Sequence, residues 1–270
     1  MAYDKIVDSG VLDGKLTAIA DAIRTKGGTT GELEFPDGFV SAVEGIQTGG
    51  GGDELALDII DRSITGISSN ELTRIGAYAF HNCAALANVH LPKVSAIGDS
   101  AFEGCTALTH ISFPGVTTDT VGFRGNAFKN CSNLKSIDFP NAIGSIWMEL
   151  FCGCKSLTDV NIPKWVDLPS YLFSRCESLE KLDLPSVAKI NTVVFEGCTN
   201  LNLLILRNTT LVTLVNVNAF NGTPFASGGT GGTVYCPAEL IAQYQQATNW
   251  ATLYAAGTCN FVAIEGSEYE

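Results

Sequence analysis

IGDSAFEGCTALTHISFP (residues 97–114) decides the fold, because the chain repeats it. IGAYAFHNCAALANVHLP (75–92) precedes it. RGNAFKNCSNLKSIDFP (124–140), IWMELFCGCKSLTDVNIP (146–163), LPSYLFSRCESLEKLDLP (168–185) and INTVVFEGCTNLNLLIL (190–206) follow. Phe80, Phe102, Phe128, Phe151, Phe173 and Phe195 mark periods of 22, 26, 23, 22 and 22 residues. A period in the low twenties with regular Leu and Ile spacing predicts a solenoid: each coil is too small to bury its apolar face alone and must stack on its neighbours. Such a scaffold presents one long surface, which favours binding over catalysis.

Each repeat divides into two parts. The I-G-x-x-A-F segment reads as a turn followed by a short helical or irregular stretch, with Ile, Ala and Phe pointing inward. L-x-x-[IVL]-x-[LF]-P reads as a strand ended by proline, which cannot donate to a ladder. Strands of successive repeats then pair in a parallel sheet. Side chains alternate along a strand, so two residues per repeat point outward and stack into columns. One column is His90, Ser112, Asp138, Asn161, Asp183 and Ile205; its neighbour is Asn88, His110, Ser136, Asp159, Lys181 and Leu203. Both are polar and mildly acidic, with a hydrophobic end at Leu203 and Ile205. Asn88 to Asp183 are the candidate ligand-binding residues. Short polar side chains in rows suit hydroxyl-rich ligands such as glycans, or a polar protein partner; the plainer alternative is solvent-facing strand decoration.

The nine cysteines resolve once placed on the repeat. Cys83, Cys105, Cys131, Cys154, Cys176 and Cys198 each fall three residues after a repeat phenylalanine. They form a buried ladder of small side chains and are expected to be free thiols. Cys152, Cys236 and Cys259 lie off it. No Cys or His spacing suits zinc. His90 and His110 approach each other diagonally, but a third ligand, Asp138, lies a further repeat away, so no metal site and no cofactor are expected. Trp147, Met148 and Leu150 interrupt the usual polar positions of their repeat, and Trp165 follows the next strand. They read either as an exposed patch for sugar stacking or protein contact, or as local repacking. Trp250 reads as core.

The ends depart from the repeat. Residues 1–48 form a separate helical module: Asp13 caps a helix to about Lys26, and Pro36 starts another to about Ile46. Leu12, Leu16, Ile19 and Ile23, and then Phe39, Val43 and Ile46, give narrow coiled-coil-like seams. Two such short helices bury too little to stand alone. They predict an attachment or oligomerisation module, with a trimer as the expected homo-oligomer; a helical cap on the solenoid is the other reading. Gly49–Gly52 begins a flexible linker (49–54). The solenoid spans 55–232, opening with a degenerate strand at Arg62–Ile67. The insertion Gly115–Phe123 should bulge from an edge. In the cap (233–270), Thr233–Cys236 reads as the last strand, and Pro237 starts a helix running toward Trp250 and Leu253.

Composition narrows the partners. The 270 residues are 46% hydrophobic and 16% charged, with a net charge of −12. An acidic, weakly charged chain is unsuited to nucleic acid, whose phosphates demand Lys and Arg. No apolar run reaches a membrane span, so no membrane insertion is expected. MAYDKIVDSGVLDGK lacks the pattern of a secretory signal. That predicts either a cytosolic protein or one released without a signal, as when a virus particle leaves by lysis. GxSxG, HExxH and P-loop patterns are absent, and the glycine-rich stretches lack a phosphate-cradle context. The carboxylates of Asp138 and Asp159 sit on adjacent strands of an open sheet, a poor glycosidase pair. The chain is read as not an enzyme.

The phrase IGxxAFxxCxxLxxIxLP resembles the BspA-like, or type 5, leucine-rich repeats over roughly residues 60–225. The resemblance implies an α/β-type leucine-rich-repeat solenoid with a parallel sheet on one face. LTAIADAIRTKGGTTGELEFPDGFVSAVEGI (16–46) resembles a segment at the start of tail-associated proteins from phages and prophages of gut Gram-positive bacteria. VYCPAELIAQYQQATNWATLYA, with the terminal AIEGSEYE, resembles the ending that accompanies such repeats in the same proteins. Together they imply a receptor-binding tail component in the virion, with a bacterial surface glycan or protein and other tail proteins as partners. A bacterial cell-surface adhesin of the same repeat class is the alternative.

Overall fold

A computed structural model of the chain describes residues 64–70, 72–117, 125–143 and 147–270. The expected seams of the 1–48 module, the linker and most of the Gly115–Phe123 insertion lie outside these residues. Within them the repeats stack as expected. The main face carries strands β1 (Gly66–Ser68), β3 (Asn88–His90), β5 (His110–Ser112), β6 (Ser136–Asp138), β7 (Asp159–Asn161), β9 (Lys181–Asp183), β11 (Leu203–Ile205), β13 (Gly232–Cys236) and β14 (Cys259–Ala263). They pair in parallel as β1-β3, β5-β6-β7 and β9-β11-β13-β14. Among the described residues the entry strand is Gly66–Ser68, in register with Asn88–His90; Arg62 and Ser63 of the expected Arg62–Ile67 lie outside them.

Among the described residues a second set of short ladders joins coils elsewhere: β2 (Arg74–Ile75) with β4 (Ala96–Ile97), and β8 (Asp167–Leu168), β10 (Lys189–Ile190) and β12 (Thr213–Leu214). The sequence reading left these residues in a turn, since two-residue strands carry no alternation to detect. The A-F stretch is irregular turn in the coils of Phe80 to Phe195 and a 3-10 helix at Val217–Phe220, and it also bonds coil to coil. Phe80 N–H donates to Ala101 O (2.7 Å), Phe102 to Ala127 (2.8 Å), Phe128 to Leu150 (3.0 Å) and Phe151 to Leu172 (3.0 Å).

This geometry requires left-handed residues two before and two after each phenylalanine. Tyr78 and Asn82, Ser100 and Gly104, Asn126 and Asn130, Glu149 and Gly153, Tyr171 and Arg175, and Val193 and Gly197 all have positive φ. Gly153 is doubly constrained, because a Cβ there would sit 2.4 Å from Asn130 Oδ1. Val193, at φ 52°, is the costly choice: a β-branched side chain is an outlier in this region. Asn tolerates it and occupies the same place at Asn126. Val193→Asn should therefore stabilise the protein by about 1 kcal/mol. The check is a rise in the urea unfolding midpoint; an unchanged or lower midpoint would refute the strain.

The repeat phenylalanines form a stacked spine. Ring centroids are 5.0 Å apart for Phe80–Phe102, 5.3 Å for Phe102–Phe128, 5.6 Å for Phe128–Phe151, 5.8 Å for Phe151–Phe173 and 6.1 Å for Phe173–Phe195. Beside it runs the thiol ladder, whose members are free and buried. The carbonyls of Phe80, Phe102, Phe128, Phe151 and Phe173 each accept twice. Phe80 O takes Cys83 N–H (3.0 Å) and Cys105 Sγ–H (3.0 Å); Phe102 O takes Cys105 N–H (3.1 Å) and Cys131 Sγ–H (3.1 Å). The pattern continues through Cys154, Cys176 and Cys198. A small apolar side chain that can still donate one hydrogen bond satisfies a buried carbonyl, which is what alanine would fail to do.

Three of the singled-out side chains are core, which favours local repacking over an exposed patch for Leu150 and Trp165 and corrects the outward placement of Ile205. Leu150 occupies the alanine position before its phenylalanine and is buried. Trp165 is fully buried, stacked on Phe139 (6.2 Å) and Phe151 (6.4 Å). It falls two residues after Pro163, in a buried column with Val94, Val116, Ala142 and Val187. The small Ala142 in the preceding coil leaves room for the indole. Ile205, placed at the outward end of its column, is also buried; the reason appears below. Trp147 and Met148 are exposed, at 52% and 56%.

The cap differs from the expected single helix. A 3-10 turn (Ala238–Leu240) leads into α1 (Ile241–Tyr244), and α2 (Trp250–Ala255) follows after a break. Asn249 breaks it with φ 68°, donating from Nδ2 to Leu214 O (2.8 Å) and Val215 O (2.9 Å). The two pieces close the core: Trp250 Nε1 donates to Val212 O (2.8 Å), and Val212 N–H to the Tyr244 hydroxyl (3.1 Å). Thr233–Cys236 is not the last strand. β14 extends the sheet by one more coil, with Phe261 packed on Tyr244 and Trp250.

Candidate functional site

The two outward columns exist as register, because parallel in-register pairing puts equivalent residues side by side. His110, Ser136 and Asp159 are partners, as are Ser112, Asp138 and Asn161. Lys181 pairs with Leu203 and Asp183 with Ile205; Asn88 and His90 pair with Gly66 and Ser68. The central residue of each strand is turned inward: Ile111, Ile137, Leu182 and Leu204 are buried. The columns are interrupted between β3 and β5 and between β7 and β9, where no hydrogen-bonded ladder connects the strands.

Side chains within a column hold one another. Ser112 Oγ donates to Asp138 Oδ2 (2.9 Å), and Asn161 Nδ2 to Asp138 Oδ1 (2.6 Å). Asp138 is thus clamped from both neighbouring strands. His110 Nδ1 lies 2.6 Å from Ser136 Oγ, on the side away from β3, so its ring is engaged across β6 rather than toward His90. Thr158 Oγ1 donates to Asp159 Oδ2 (3.1 Å). Among the described residues, no group of three or more His, Cys, Asp or Glu side chains is arranged to hold a metal ion, and no helix is long and apolar enough to cross a membrane.

Arg207, Tyr235 and Tyr269 belong to this face and were missed by the sequence reading. Arg207 Nε donates to Asp183 Oδ1 (3.0 Å) and Nη2 to Asp183 Oδ2 (2.9 Å), a bidentate fork. Tyr235 is the register partner of Ile205, and its ring meets Tyr269 edge-on at 4.8 Å. Ile205 therefore lies between the Arg207–Asp183 fork on one side and Tyr235 on the other. The alternation in T-V-Y-C already pointed Tyr235 outward; nothing in the tail signalled Tyr269.

A model of the BspA type leucine-rich repeat region matches six copies across residues 62–167 and 121–228, most of the chain. The chain belongs to this family. Among solved structures, the BspA-type repeats are similar to a leucine-rich repeat protein from Bacteroides ovatus ATCC 8483, with 26% identity over 75% of this chain and 54% of that one, TM-score 0.49. They are also similar to a leucine rich cell surface protein from Faecalibacterium prausnitzii A2-165, with 18% identity over 59% of this chain and 76% of that one, TM-score 0.32. The chain thus spans about half the length of the Bacteroides ovatus protein. No curated protein matches it.

Proposed function

We propose that the chain is a non-enzymatic binding protein whose sheet face recognises a polar ligand, a glycan or a protein, on a bacterial surface. The observation that supports this most directly is the Asp138 clamp. Ser112 and Asn161 fix the carboxylate in one geometry before any ligand arrives, which lowers the ordering cost of binding. Membership of a repeat family built to display a long surface agrees with it. The test is adhesion of the labelled full chain to intact Gram-positive gut bacteria and to their isolated wall polysaccharide. Asp138→Ala together with Asn161→Ala should weaken binding by at least ten-fold while far-UV circular dichroism is unchanged. Undiminished binding by the folded double variant would refute the reading.

Two settings fit this activity. In the virion, the segment 16–46 would attach the chain to other tail proteins and the repeats would meet the host receptor; the resemblance of both chain ends to tail-associated proteins favours it. On a cell, the same repeats would act as an adhesin, which the repeat family itself favours. Immunogold labelling of purified particles against cell envelopes separates the two. The seam Leu12, Leu16, Ile19 and Ile23 would hold a trimer, so Leu16→Asp with Ile19→Asp should turn a trimeric mass into a monomeric one in light scattering.

A further inference from the structure

The sheet face changes chemistry at its C-terminal end. From Asp183 the column continues in register through Ile205 and Tyr235 to Val262. Tyr235 and Tyr269 are half-buried, and Val262 is 39% exposed. Tyr269 is brought there by a tight terminal turn rather than by a strand. Ser267 Oγ donates to Ile264 O (2.6 Å) and accepts from Tyr269 N–H (3.1 Å), while Glu270 closes the turn by accepting from Gly266 N–H (2.9 Å). The tail is folded back so that one tyrosine edge rests on the other at 65°. On the far side of Ile205, two strand spacings or roughly 10 Å from Tyr235, the Arg207–Asp183 fork is held in the plane of the sheet face.

We propose that Tyr235, Tyr269 and the Asp183–Arg207 fork form a carbohydrate subsite that takes a neutral pyranose unit of a longer glycan. This rests on the reading of the sheet face as the binding surface and names its ligand class. A pyranose has an apolar face of axial C–H groups, which the amphipathic tyrosine rings can accept, and a rim of hydroxyls. Neighbouring hydroxyls of the adjacent sugar unit match the fork, where a carboxylate accepts and a guanidinium donates from fixed positions. A net charge of −12 disfavours acidic glycans, which leaves neutral sugars as the ligand.

The experiment is saturation-transfer NMR on the full chain with soluble gluco-, manno- and galacto-oligosaccharides. Transfer to ring C–H protons is expected for at least one of them. It should fall at least ten-fold in Tyr269→Ala, with far-UV circular dichroism unchanged, and persist in Tyr269→Phe. Asp183→Asn should weaken it as well. Absence of transfer from every saccharide overturns the subsite, and so does transfer that survives both Tyr235→Ala and Tyr269→Ala. If instead binding to bacteria depends on Asp138 and Asn161 alone, the polar face stands as the binding surface and the aromatic subsite falls.

Discussion

Above about pH 9 the repeats lose stability steeply, and by about pH 11 they unfold. The cause is the thiol ladder and its continuation in the cap. Burial pushes the thiols of Cys105, Cys131, Cys154 and Cys176 far above the ordinary value, with neighbouring cysteines adding to each shift. Cys236 and Cys259 are pushed up to about 12, and burial raises Tyr244 to about 12 as well. A group whose folded pKa is raised keeps its proton in the fold after the unfolded chain has released it. Its contribution is therefore complete below the unfolded value, near 8.5 for a thiol, and is lost as pH climbs through the folded one. Each such group removes about 1.4 kcal/mol per pH unit in that window, and six buried thiols act together. Urea titrations at pH 7 to 11, under a phosphine reductant to exclude oxidation, should show the midpoint collapsing from pH 9 upward. A flat midpoint to pH 11 would mean that the thiols are not held in an apolar interior.

Phe151→Ala should be the most damaging single substitution in the coils, costing about 3–5 kcal/mol. Its ring sits between Phe128 (5.6 Å) and Phe173 (5.8 Å) in the spine and touches Phe139 and Trp165 in the second aromatic row. Removing it opens a cavity bordered by flat rings that cannot move together, because each is also stacked on its own next neighbour. A solenoid is stabilised by contacts between adjacent coils, so the loss is concentrated at one junction. The expected result is a single cooperative transition splitting into two: the coils on the two sides of residue 151 then melt separately, with Trp250 fluorescence reporting only the C-terminal half. One transition with an unchanged midpoint would show that the spine is not the source of coupling.

Much of this fold was legible because the period is strict. The phenylalanine and cysteine positions, the outward columns and the parallel pairing all follow from one phrase aligned on itself. What the alignment overlooked lay in positions judged by residue type rather than by place. Trp165 read either as an exposed aromatic or as local repacking, and the alignment decides it: the P-K-W at 163–165 matches P-K-V at 92–94 and P-S-V at 185–187, a buried place. Leu150 is likewise the alanine of its repeat enlarged. The broken cap helix was less legible, since Asn249 takes a left-handed conformation only because the carbonyls of Leu214 and Val215 lie within reach of its amide. Arg207 and Tyr269 join the face through long-range contacts that no local pattern records. β14 was missed because C-N-F-V-A follows a helix, where a terminal cap was expected to end.

The double acceptance at the carbonyls of Phe80 to Phe173 makes the hydrogen bonding of these coils interchangeable. A coil gives one N–H and one thiol to this row of carbonyls, and each carbonyl needs only what any neighbouring coil of the same phrase supplies. Excising one such unit, for instance the 22 residues from Phe151 to Leu172, would rejoin Leu150 to Phe173 with the same partners on offer. The molecule is in this sense a ruler graduated in strand spacings of about 4.8 Å. Gain or loss of a unit by recombination would slide the tyrosine pair along the polar columns by one graduation and re-space whatever the face reads, with the place beside Phe139 that Trp165 fills as the packing to be remade.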